Sequence, residues 1–451
     1  MDLWVKTISS THLRNSAVEE GRLSHRSRWA FFVILLLALG VRLGAAAYWQ
    51  QTAQQEGRLF RLGDSHSYWT LASQIGQGLP YEYGSSESRI FRAPLYPLVL
   101  APLTRIANPH TAVWWARVVG CWLGTLSVAL LAWLACRLGG VRAGLFAAGL
   151  AAFYPSAVGM SIIVLSEAVF MPLMIAYLVA WQAAWQTDSK RQLWCYGLLA
   201  GALAGAAVLA RPSWLLFAPF AWVLGLLTSR QRWRHTVLFG ATVLGLSVVM
   251  SPWWIRSAAI TGRFVPTTLQ VGPSLLDGLH SGASGASDEG MGFMHAIIAE
   301  QIEADQQQRD AGDEPLLSTL EYRIDARAQA VAVEWATEHP LQVLHLAGRK
   351  FLRIWTLWPA GGDVSSTSMR LVITVSSFGI LLLASAYSLV SARPRGWFYA
   401  ILWVPCLYFT LLHMVFVGSI RYREPALIVL LAVAGCALAL GRLSLRQRSE
   451  R

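Results

Sequence analysis

Apolar stretches recur along this chain at the length that a lipid bilayer demands. A spanning helix needs about 20 apolar residues, and single blocks of that size occupy 29–49, 111–136, 236–254, 369–391, 397–417 and 424–441. Two longer blocks, 141–186 and 193–229, hold enough residues for two crossings each. Both contain a breaker, Tyr154-Pro155-Ser156 and Arg211-Pro212-Ser213. Proline removes a backbone donor and disfavours helix in the residue before it. The expected fold is therefore an all-α polytopic membrane protein with about ten transmembrane helices.

Composition agrees. Only 14% of the 451 residues are charged, against about 25% in soluble domains, which excludes an ordinary soluble enzyme. The 37 Lys+Arg against 25 Asp+Glu give +12; in a chain this apolar, that excess sets orientation in a bilayer and does not point to nucleic acid. The five cysteines all fall in apolar blocks without a C-x-x-C pair. They read as buried hydrophobes, with neither a disulfide framework nor a metal site.

Short connectors carrying Arg137 and Arg142, Lys190 and Arg191, Arg230, Arg232 and Arg234, and Arg393 and Arg395 fall on one side of the bilayer. The positive-inside rule makes that side cytoplasmic. Residues 1–28 form a cytoplasmic tail, followed by an N-terminal transmembrane module over 29–254 with an outer loop at 50–110. A second outer loop covers 255–368, C-terminal spans cover 369–441, and a cytoplasmic tail covers 442–451. The long polar lead and Arg42 inside the first apolar run favour an uncleaved signal anchor, although Gly44-Ala45-Ala46-Ala47 resembles a cleavage site.

Between Asp277 and Glu338 the second outer loop gathers 13 of the 25 acids. Its Gly- and Ser-rich part, Ser274 to Gly292, reads as a loop. Glu321–Glu338 reads as a helix with Ile324, Ala328, Val331 and Trp335 on one face. Pro340–Trp358 mixes basic and apolar residues in the manner of a helix lying in the membrane interface.

Chemistry concentrates at the outer ends of the spans. Asp64 precedes an expected helix, Ser65–Gln77, where it serves either as an N-cap or as a general base for an acceptor hydroxyl. Arg58, Arg61, Arg89, Arg92 and Arg105 make the first outer loop mildly basic, which suits either an anionic ligand or pairing with acids of the second loop. Glu167 lies in an otherwise apolar stretch. It faces a polar cavity or occupies the favourable first turn of a returning helix, and Arg211 is its ligand-binding neighbour or its structural partner. The segment His413 to Pro425 adds Arg421, Tyr422, Arg423 and Glu424 near the same level, as a phosphate site or as interfacial anchors. No H-E-x-x-H, P-loop or Rossmann glycine pattern occurs.

The Asp64-x-x-x-Tyr68-x-x-x-Ala72 segment resembles polytopic glycosyltransferases of the C-type fold (GT-C), in particular bacterial relatives of dolichyl-phosphate-mannose–protein mannosyltransferases and lipid A aminoarabinose transferases. Arg92-Ala-Pro-Leu-Tyr-Pro97, Leu165-Ser166-Glu167, Leu209-Ala-Arg-Pro212, Pro252-Trp253-Trp254-Ile-Arg256 and Arg421-Tyr-Arg-Glu-Pro425 extend the likeness over about residues 29–441. The resemblance implies a polyprenyl-phosphate-linked sugar donor and inverting transfer at the external face of a bacterial inner membrane. By the same analogy Asp64 is the base, and Arg92, Arg211, Arg421 and Arg423 bind the donor phosphate. His66, Tyr68, Glu167, Arg256, Lys350 and Tyr422 are further candidates for the site. Relatives often carry a second acid where this chain has Ser65, which weakens the case for a divalent cation. The acceptor (protein, lipid or glycan) stays open. Alternative readings are a transporter or flippase of lipid-linked sugars, a glycan polymerase or ligase, and an assembly subunit without activity.

Overall fold

The computed structural model describes residues 24–288, 290–310, 318–359, 366–390 and 396–449, without the side chains of Arg309 and residues 442–449. The tail up to residue 23, Arg393, Arg395 and the side chains of the closing segment, all used above for orientation, lie outside the described residues. Among the described residues the chain is helical, with one isolated bridge between Tyr83 and Ser85.

In chain order the helices are α1 His25–Gln55, α2 Gly63–Gly76, α3 Leu95–Leu100, α4 Pro109–Gly139, α5 Val141–Phe153, α6 Pro155–Ile162, α7 Glu167–Gln186, α8 Lys190–Ala210 and α9 Phe217–Thr228. There follow α10 Arg232–Thr261, α11 Val271–Gly278, α12 His295–Asp310, α13 Leu320–Glu338, α14 Pro340–Ile354, α15 Thr367–Val390, α16 Trp397–Ala400, α17 Val404–Val415 and α18 Glu424–Ser449. Over the described residues every expected apolar block is largely helical, with 397–417 divided between α16 and α17. Among the described residues seven helices are long and apolar enough to cross a membrane, and the bent pair α5–α6 makes an eighth. Pro212–Thr228 and α17 are shorter apolar helices in the two remaining places. The protein is an integral membrane protein.

Both expected breakers break. The pair α5–α6 bends by 59° at Tyr154-Pro155, and Arg211, with φ −146°, ends α8 before a 3-10 turn over Pro212–Trp214. A break inside a bilayer frees carbonyls that water cannot satisfy. Buried Arg42 of α1 meets this need, donating to the carbonyls of Ala151 and Ala152 at 3.1 and 3.3 Å and to Ser161 Oγ at 3.3 Å. Arg117 of α4 does the same at the end of α6, reaching Ile162 O at 2.9 Å. The helices α7 and α18 form the buried centre, while α1 and α15 lie at the periphery.

The segment 255–368 has its own small core, in which Leu276, Leu279, Met294, Ile297, Ala328 and Ala332 are buried. Ile324, Val331 and Trp335 of α13 pack on it, as their spacing predicts. The expectation of a loop from Ser274 onward is corrected over its first residues. Val271–Gly278 is helical because Leu275, Leu276 and Leu279 dock against α13, and Asp325 Oδ1 accepts from Gly272 N at 2.8 Å. The cysteine expectation also needs one correction: Cys121 and Cys436 are buried, but Cys195 is exposed on α8.

Candidate active site

Five stretches of sequence converge, four where α2, α7, α8 and α18 begin or end and a fifth, carrying Arg92, just ahead of α3. Asp64 stands in the first turn of α2, one residue inside the helix. Its expected capping role gives way to side-chain partners: Leu62 is the cap, and no side-chain capping bond forms. Arg92 Nη2 donates to Asp64 Oδ1 at 2.7 Å, and Arg421 Nη1 donates to Oδ2 at 3.0 Å. Arg421 also reaches Glu167, its Nε donating to Oε1 at 2.5 Å. Arg211 Nη1 meets the same oxygen at 2.6 Å. The result is one alternating chain, Arg92–Asp64–Arg421–Glu167–Arg211, assembled from residues up to 357 positions apart.

Local structure explains each placement. Glu167 opens α7, where the exposed amides favour a carboxylate. Arg211 closes α8. Arg421 lies in a 3-10 turn over Ile420–Tyr422, just before α18. Tyr68, one turn along α2 from Asp64, donates to Ser166 Oγ at 3.1 Å, and its ring lies 5.3 Å from the Arg92 guanidinium. Tyr422 stacks on His413, with centroids 3.8 Å apart and planes within 3°. Arg211 lies 5.7 Å from the centroid of the Tyr422 ring.

Exposure is graded along the chain of charges. The Asp64 side chain keeps 34% of its surface and Glu167 only 1%, so the Asp64 end is the accessible one. Partial burial opposes ionisation of Asp64, but the guanidiniums of Arg92 and Arg421 outweigh it and hold the carboxyl below its usual range. Burial in turn disfavours the charge on Arg421, and Glu167 with Asp64 more than restores it. Burial pushes the Tyr422 phenol up. Three guanidiniums against two carboxylates leave one positive charge in excess. An additional anion would complete the set.

The other expected site residues stand apart from this cluster. Arg423 is a correction: it is buried and donates to Ile354 O at 3.0 Å and Thr356 O at 2.7 Å, on the opposite side of the turn from Arg421. Lys350 is another, since it is fully buried with its ammonium on Val415 O at 2.6 Å. Arg256 lies over Trp253 and Tyr81 and donates to Arg89 O at 3.1 Å. His66 is on the exposed face of α2. Among the described residues no three side chains of His, Cys, Asp or Glu gather as metal ligands. A divalent ion at Asp64 would have to compete with two guanidiniums. Ser166 and His413 line the cluster without a sequence signal of their own, apart from their neighbours Glu167 and the Arg421 segment.

The helical bundle resembles that of oligosaccharyltransferases of known structure. The match to the apo oligosaccharyltransferase of Archaeoglobus fulgidus has a TM-score of 0.56 at 14% identity, covering 93% of this chain and 52% of that one. The complex of the same organism's enzyme, AglB, with an inhibitory peptide and a dolichol-phosphate gives 0.54 at 13% identity, covering 95% and 52%. ArnT from Cupriavidus metallidurans bound to undecaprenyl phosphate gives 0.42 at 14% identity, covering 91% and 77%. The chain thus spans about half the length of the oligosaccharyltransferases it matches. Residues 92–255 match the family model of dolichyl-phosphate-mannose-protein mannosyltransferase, a segment that holds Arg92, Glu167 and Arg211. No protein of curated function matches in sequence.

Proposed function

We propose that the chain is a membrane glycosyltransferase that moves a sugar from a polyprenyl-phosphate donor to an acceptor hydroxyl at the external face of a bacterial inner membrane. The observation that carries this reading is the cluster itself, three guanidiniums sharing two carboxylates and left one charge short of neutrality. A lipid phosphate supplies the missing anion, and its tail has the apolar flanks of the spans to lie along. The dolichol-phosphate bound by AglB, a protein of similar fold, supports the same ligand class.

In this mechanism Arg92, Arg211 and Arg421 bind the donor phosphate, and Glu167 fixes two of them, Arg211 and Arg421. The acceptor oxygen attacks the anomeric carbon as the bond from that carbon to the phosphate oxygen breaks, inverting the centre. The acceptor proton passes to Asp64, and the electron pair leaves on polyprenyl phosphate, where the guanidiniums stabilise the developing charge. Donor binding also readies the base. A phosphate that draws Arg92 and Arg421 away removes what holds the Asp64 carboxyl low, so its proton affinity rises when the substrate is in place.

The test is to incubate the purified protein with a panel of polyprenyl-phosphate sugars and follow release of polyprenyl phosphate. Release from at least one donor, lost in Asp64→Asn, is expected. Release that survives the substitution removes Asp64 as base, and no release from any donor removes the donor class.

A further inference from the structure

The two arginines that hold Asp64 arrive on separate arms, and both arms are fastened to the second outer loop. The first arm is the stretch ahead of Arg92. Glu321, in the first turn of α13, accepts from Arg89 N at 2.8 Å and Ile90 N at 3.0 Å through Oε2, and from Ser88 Oγ at 3.4 Å through Oε1. Leu269 N donates to Ile90 O at 3.1 Å, and Ile90 is fully buried. One carboxylate thus ties down three consecutive residues that end two positions before Arg92.

The second arm is the stretch between α17 and Arg421. Gly418 N donates to Gly285 O at 2.9 Å, and Lys350 Nζ holds Val415 O. The approach is close enough to require glycine. A Cβ on Gly418 would sit 2.6 Å from Lys350 O, and one on Gly278 would sit 2.0 Å from Phe416 O.

We propose that the second outer loop braces both arginines of the Asp64 clamp, with Glu321 the positioning residue that acts through Arg92. The brace rests on the reading of Asp64, Arg92 and Arg421 as the donor site. It gives the acidic loop a mechanical role: anything that shifts α13 shifts the arm that carries Arg92. Glu321 touches neither Asp64 nor the space beside it, so its effect on a ligand passes through the main chain at 88–90. Removing two main-chain hydrogen bonds and that of the Ser88 hydroxyl loosens the arm without emptying the site of charge.

Two readouts test the brace and separate it from the donor reading. In the first, nitroxide labels on the full-length protein in nanodiscs report the arm directly, attached through Gln77→Cys and Ser86→Cys in a Cys195→Ser background. The distance distribution is expected to be narrow with Glu321, broad in Glu321→Ala and narrow again in Glu321→Gln, whose amide oxygen still accepts from the two amides. In the second, polyprenyl phosphate is titrated. Glu321→Ala should weaken binding by about tenfold, the scale of lost hydrogen bonds, and Glu321→Gln by much less. In an Arg92→Ala background Glu321→Ala should add nothing, because its route is already cut. An unchanged distance distribution overturns the brace, as does an equal loss with and without Arg92. If the wild-type protein binds no polyprenyl phosphate, the donor reading falls, and the distance measurement alone decides the brace.

Discussion

Arg421 and Arg117 both place a guanidinium near a helix end, but they meet different partners there. Arg421, together with Arg92 and Arg211, binds carboxylate side chains at the end of the bundle. Arg117, together with Arg42, Arg423 and Lys350, binds main-chain carbonyls at the ends of α6, α5, α14 and α17. A side-chain carboxylate can turn away and leave its cation to a ligand. A helix-end carbonyl cannot, and where it is buried it has no water to replace a lost donor. The same residue type thus does exchangeable work in one region and fixed capping in the other.

If this division is real, substitutions should separate along it. The largest effect is expected for Asp64→Asn. Loss of a general base lowers rates by about 10²–10⁴, so release of polyprenyl phosphate should fall to near background. Melting of the purified protein should stay close to that of the wild type, because the asparagine keeps the shape and two arginines remain beside it. A melting temperature that drops with the activity would return Asp64 to a structural role.

The next contrast is between Arg117→Leu and Arg421→Leu. Arg117→Leu leaves the buried carbonyl of Ile162 without its side-chain donor and also removes the bond to Leu59 O, at a cost of about 1–3 kcal/mol for the buried group. Loss of folded protein during extraction is expected. Arg421→Leu should yield folded protein with activity reduced by about a hundredfold or more, the scale of one lost donor at a developing charge. Equal yields of the two variants would erase the distinction between the regions.

The pH dependence sharpens it further. Arg92 and Arg421 hold Asp64 below the usual carboxylate range in the free protein, so the acid limb of kcat/KM from this group should lie below that range. Arg92→Ala removes one of the two cations, which raises the carboxyl pKa and moves the limb to higher pH. A limb that stays put would mean that Arg92 is not the neighbour that matters.

The sequence made the eight apolar blocks and the two breakers legible because hydrophobic length and proline act locally. Asp64, Glu167, Arg211 and Arg421 also stood out, Glu167 and Arg211 as charges inside apolar blocks and Asp64 and Arg421 as charges in the segments between them. Arg423 misled. It is two residues from Arg421, and the 3-10 turn over Ile420–Tyr422 sends one guanidinium to Asp64 and the other to Ile354 O. Chain proximity does not fix direction through such a turn. Lys350 misled for a related reason, since its partner lies 65 residues away and is a carbonyl, which has no residue signature. Glu321 was invisible for the same cause: its partners are main-chain amides more than 230 positions upstream.

The smallest expected effect lies in the segment 255–368, where a carboxylate meets neither of the two kinds of cation site. Asp325 is buried, and the cost of burying its charge pushes its pKa from 3.8 up to about 6, against the opposing pull of the Gly272 and Val271 amides. Between these two values the folded chain binds more protons than the unfolded chain. The stabilisation from protonated Asp325 is therefore complete below about pH 4 and is lost as pH rises through about 6. Asp325→Asn keeps an oxygen for Gly272 N and carries no charge to bury, so it should melt higher than the wild type at pH 7.5, by about 2 °C or more. The difference should shrink toward pH 4.5. Intrinsic fluorescence melts at the two pH values decide the matter, and a variant that melts lower at pH 7.5 would show that the carboxylate's bonds to α11 outweigh the cost of its burial.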